Sequence, residues 1–66
     1  SAIIGREGGI QIQPATPVEM LIVNMAGTVV AHRTISQAET ISVPKGIYIV
    51  RLSNSGHVLT QKVNVR

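Results

Sequence analysis

The side chains capable of chemistry are few and scattered. The imidazoles are His32 and His57, and the carboxylates are Glu7, Glu19 and Glu39; cysteine and aspartate are absent. A metal site draws three or four ligands from compact, recognisable spacing, and two distant histidines do not supply one. Acid–base catalysis by paired carboxylates needs two glutamates to converge. Glu19 falls on a strand, Glu7 in a glycine-rich turn and Glu39 at a loop edge, and nothing in their spacing brings two together. A serine nucleophile needs a base and an orienting acid. Ser36, Ser42, Ser53 and Ser55 fall at turns and strand edges, where serine ordinarily serves the backbone. The stretch "GREGG", Gly5 to Gly9, is glycine-rich. It lacks the helix and the Lys-Ser/Thr pair of a phosphate loop and reads as a turn. These residues predict a chain that is not an enzyme, with no cofactor, no metal and no small-molecule substrate.

Composition narrows the partners. Aromatic content is 2%, a single tyrosine, which cannot build a base-stacking or sugar-stacking platform. Net charge is +3, but Arg6, Arg33, Lys45, Arg51, Lys62 and Arg66 are dispersed. Nucleic-acid and polybasic membrane tracts are contiguous, so the expectation is a solvated surface and no nucleic-acid partner. At 66 residues the chain is one domain, with a large surface for its volume and little margin of stability. Its first residues already read as strand, which suggests a domain excised from a longer protein.

The elements that must hold these residues are strands. Aliphatic, β-branched runs alternate with Gly, Pro, Asn and Ser punctuation, and helical periodicity is nearly absent. The runs predict six or seven strands: "SAII", "GIQIQ", "VEMLIVN", "TVVAHRTI", "TISV", "IYIVRLS" and "HVLTQKVNVR". Ile10 and Ile12 share one face of their strand, as do Val18, Met20 and Ile22 of theirs. Leu21 and Val23 are apolar on the opposite face, which predicts an interior strand. "NMAG" and "PKG" read as tight turns, "SQAE" as a loop and "NSG" as a hairpin connector. The pattern is all-β, a small sandwich or barrel.

Tyr48 is the one bulky side chain in this aliphatic set. Near the start of a central strand, its ring can fill a core volume while its hydroxyl reaches a polar partner near the "PKG" turn. Around it, "VEMLIVNMAGTVV", "ISVPKGIYIVRL" and "KVNVR" resemble the C-terminal sorting domain of type IX (Por) secretion cargo proteins. That family shows a "YN-aliphatic-x-G" turn, an "L-P-x-G-x-Y" segment and a closing "K-aliphatic-x-aliphatic" strand. The match covers Val18 to Arg66, with Gly27, Pro44, Gly46, Tyr48, Lys62, Val63, Val65 and Arg66 on its recurrent positions. The chain departs from the pattern at its opening, where "GREGGIQIQPATP" replaces "Y-P-N-P", and at Val23, where Tyr or Phe is usual.

The resemblance implies an immunoglobulin-like β-sandwich spanning residues 1–66, at the C-terminal end of a secreted protein of Bacteroidota. The parent would cross the inner membrane by a separate signal and travel by way of the periplasm to the cell surface. Its partners would be the parent's upstream domain, the outer-membrane export machinery and a sortase-like protease. Lys62 then reads in two ways: a contact of the last strand with that machinery, or a charge guarding an edge strand against aggregation. The alternative function is a non-catalytic accessory module: adhesive, partner- or glycan-binding, or a structural cap.

Overall fold

A computed structural model describes all of residues 1–66. The chain forms seven strands and no helix: β1 (Ala2–Arg6), β2 (Gly9–Gln13), β3 (Val18–Asn24), β4 (Val29–Ile35), β5 (Glu39–Ser42), β6 (Gly46–Asn54) and β7 (His57–Val65). They build two antiparallel sheets, ordered β1-β2-β5 and β4-β3-β6-β7. This is the immunoglobulin-like arrangement of an A–B–E sheet facing a C′–C–F–G sheet.

The period-2 patterns hold the sheets together face to face. Ile3, Ile10, Ile12, Ile41 and Val43 from the first sheet meet Val18, Met20, Ile22, Ile35, Val50, Leu52, Val63 and Val65 from the second. Each fully buried aliphatic side chain contributes about 1.5–3 kcal/mol relative to leaving it in water. Tyr48 completes the core at 5% exposure, and its hydroxyl donates to the Pro44 carbonyl oxygen at 2.6 Å. Tyr48 lies near the start of the F-position strand and bonds back to the corner that precedes it. It is thus a tyrosine corner, a hallmark of immunoglobulin-like sandwiches.

Two boundaries and two exposures differ from the sequence reading. β1 continues through Gly5 and Arg6, so the turn after it shrinks to Glu7 and Gly8. Glu39 belongs to β5, leaving a shorter loop before it. β6 runs through two-sided apolar sequence, yet only Tyr48, Val50 and Leu52 face the other sheet. Ile47 and Ile49 point outward. Leu59 has the core parity of β7 but remains 40% exposed, because the sandwich splays there.

A two-layer sandwich has two open sides. On one, Arg33 at the β4 edge donates to Glu39 Oε1 at the start of β5, 2.6 Å away. On the other, β1 and β7 close directly, backbone on backbone. The Arg66 N–H donates to the Arg6 carbonyl at 3.3 Å, and the Arg66 carbonyl accepts from Gly8 N–H at 2.9 Å. That alternation is the hydrogen-bond pattern of parallel strands.

Candidate docking surface

β7 is bounded differently along its two halves. Near Arg66 it is fastened to β1 so closely that a Cβ on Gly5 would lie 2.2 Å from the Asn64 carbonyl oxygen. Three residues back, the strands have moved apart by the reach of a side chain: Gln61 Nε2 donates to the Ile3 carbonyl at 3.0 Å. Beyond that bridge they diverge into an open cleft of about 280 Å³ between Ser1 and the start of β7. Its walls include Val18, Leu52, Val58 and Leu59, and its rim Asn54 and His57. All six residues from His57 to Lys62 are solvent-exposed, although alternate ones have core parity.

The residues matching the sorting-domain pattern gather toward one end of the sandwich, and most serve its frame. Gly27 takes a φ of 85° in the β3–β4 turn, where an L side chain would be strained. In the same turn Asn24 Oδ1 accepts the N–H groups of Ala26 and Thr28, both at 3.0 Å. Asn24 is opposite Tyr48, and Tyr48 is opposite Val63. Pro44 supplies the carbonyl that Tyr48 binds. Gly46 opens β6 opposite Val65, and Val63 and Val65 are buried. Arg66 acts through its backbone at the β1–β7 seam. Lys62 stands apart from the frame. It projects from the outer face opposite Ile49, solvent-exposed and without a carboxylate partner.

The potentially reactive groups stay scattered. His32 Nε2 lies 2.9 Å from Glu19 Oε1 on the solvent face of β3 and β4. Glu39 is engaged by Arg33, His57 sits alone at the head of β7, and Glu7 projects from the β1–β2 turn. No group of three potential metal ligands converges. A shallow depression at the framed end is lined by Lys45, Gly46, Asn64, Val65 and Arg66. On the four-stranded sheet, the outward positions include Leu21, Val23, Ile47 and Ile49, with Val29 and Val30 beside Val23 at a bulge.

Sequence reading misses Gly5 as a seam residue and Leu59 as a cleft residue. A glycine within a strand can mark a close backbone approach, but the glycine-rich sequence around Gly5 reads as a turn, where glycine needs no such reason. The cleft at Leu59 follows from how two strands diverge, which residue types do not encode. No curated protein matches the chain. A family model described as a domain of unknown function, DUF6383, matches residues 1–65, essentially the whole sandwich, and the chain belongs to that family.

Proposed function

We propose that this sandwich is a non-catalytic label of a secreted protein, read by the outer-membrane machinery of type IX export and carried to the cell surface. The observation that carries the reading is the division of labour among the pattern residues. Gly27, Pro44, Gly46, Tyr48, Val63 and Val65 build one end of the frame, while Lys62 on the edge strand β7 is left in water. An exposed edge strand is a standard means of protein recognition, because its backbone can join a partner sheet.

The test is a reporter carrying an inner-membrane signal and this domain, expressed in a type IX-competent host. The intact domain delivers the reporter to the surface; Lys62→Glu leaves it in the periplasm. Truncation is a poor substitute, since removing residues 62–66 also removes the buried Val63 and Val65. Periplasmic retention of the unmodified fusion would refute the label.

A second reading, a structural cap on a neighbouring domain, is favoured by the aliphatic outer face. Val29 and Ile47 there are 56% and 40% exposed. Sheet faces that meet water are usually polar, and contiguous apolar surface marks interaction sites. Under that reading, Ile49→Lys weakens association with the parent's adjoining domain and leaves surface delivery unchanged.

A further inference from the structure

We infer that the wedge between β1 and the first half of β7 is a slot for one extended strand of a protein partner, aliphatic on its inward side and acidic on its outward side. The inference deepens the reading of β7 as the recognised element and rests on it. Three observations support an extended occupant. β7 pairs with β6 and with no other strand of its sheet, so along His57–Lys62 it offers the unpaired backbone groups of an edge. The β1–β7 gap widens progressively, from backbone contact at Gly5 to a side-chain bridge at Gln61 to open space at Ser1. The floor of that space is apolar: Leu52 is buried at 3% and Leu59 is 40% exposed. An added strand would pair with β7 and turn every second side chain onto Leu52 and Leu59, which is how strand addition combines affinity with specificity.

Charge sets the other face. Arg51 pairs with Thr60 and Ile49 with Lys62, so Arg51 and Lys62 are diagonal neighbours on the outer surface. β6 and β7 contain no acidic residue. The carboxylates with side-chain partners lie on other strands: Glu19 beside His32, and Glu39 with Arg33. An outward carboxylate on a strand added beside β7 would complete a cross-strand pair with Lys62, with Arg51 one strand further on the same face. A second copy is a poor occupant, because its β7 would bring another Lys62, and no acidic residue, to the edge.

The probe is an N-acetylated, C-amidated peptide, Val-Glu-Val-Thr-Val-Glu-Val, titrated into the ¹⁵N-labelled 66-residue chain. Saturable shifts are expected at Ile3 and at Val58 to Lys62. Replacing both probe glutamates by lysine should weaken binding about two- to fivefold, from the exchanged cross-strand charge pair with Lys62. The Lys62→Glu chain should invert that preference, an outcome no loss of folding can mimic. N-methylation of alternate probe amides should abolish binding. Absence of saturable shifts, equal binding of both probes, or shifts centred on Leu21 and Ile49 would overturn the slot. Concentration-dependent broadening of the β7 amides without peptide would assign the edge to a second copy and also overturn it. The two proposals fail separately. If Lys62→Glu blocks delivery while the peptide does not bind, the slot falls and the label stands. If the peptide binds while the Lys62→Glu reporter still reaches the surface, the slot stands and the label loses its reader.

Discussion

Substituting Gly5 by alanine tests the β1–β7 seam most directly. The added methyl would sit 2.2 Å from the Asn64 carbonyl oxygen and 2.8 Å from Val63 Cγ1, where ordinary contact begins at 3.4 Å. Neither neighbour can swing away, since one is backbone and the other packs in the core. The strands must therefore part by about 1.2 Å, the difference between the ordinary and the imposed distance to that oxygen. Separation on that scale stretches the two Arg66 backbone bonds, at 2.9 and 3.3 Å, beyond useful length. Losing them costs about 0.5–1.5 kcal/mol each, and overpacking adds about 1–3 kcal/mol where relaxation is incomplete. A net loss of about 2–6 kcal/mol follows, against a total stability of roughly 3–10 kcal/mol for a chain of this length. The midpoint of thermal unfolding should fall by about 8 °C or more, at about 4–8 °C per kcal/mol. Gly8→Ala is the control. Gly8 has a φ of 76°, and no neighbouring atom lies within 4 Å of the place a Cβ would take, so its cost is left-handed strain alone, about 1–2 kcal/mol. Both variants are read by urea and thermal unfolding, followed by circular dichroism. If Gly5→Ala unfolds within about 0.5 kcal/mol of the parent chain, or proves milder than Gly8→Ala, the seam does not hold the sandwich.

Two further positions address the frame. Tyr48→Phe keeps the buried ring but removes the 2.6 Å bond to Pro44; the loss should be about 1 kcal/mol, because the exposed Pro44 can hydrate its freed carbonyl. Tyr48→Ala should cost about 3–5 kcal/mol and leave the chain largely unfolded, which one-dimensional NMR will show as collapsed dispersion. Asn24→Ala frees the N–H groups of Ala26 and Thr28; about 1–2 kcal/mol should be lost in urea unfolding, with β3–β4 amides exchanging faster than those of β6.

Much of the fold is legible because short strands declare themselves through local pattern. The alternation of Ile10 with Ile12 and of Val18, Met20 and Ile22 names the inward faces correctly, and the lone tyrosine announces its own corner. The turn at Asn24–Gly27 is equally readable, since its residues perform backbone chemistry that few others can. What stays hidden depends on pairs distant in sequence. Gly5 and Asn64 meet across nearly the whole chain, as do Ile3 and Gln61, and no local window contains either pair. The two-sided apolarity of β6 identifies a central strand correctly but does not assign Ile47 and Ile49 to water. A strand bounded by two neighbours is central whether or not its second face is covered.

The two open sides of the sandwich are closed by different means, and the difference has a functional consequence. Arg33 and Glu39 bridge one side through flexible, partly exposed side chains, a contact of modest strength that tolerates movement. On the other side, glycine lets backbone meet backbone at one end, and Gln61 spans the gap before it opens. The same strand is thus anchored at Arg66 and unaccompanied at His57. Fastening one end fixes the direction and register of β7, so its free half presents an ordered edge instead of a fraying one. An incoming strand then loses little entropy on the side of this domain, because the template is already extended. Releasing the seam should disorder the edge as well as weaken the fold. Gly5→Ala, at temperatures where it remains folded, should therefore bind the Val/Glu probe peptide more weakly than the parent chain does, although the substitution touches none of the exposed residues at the slot.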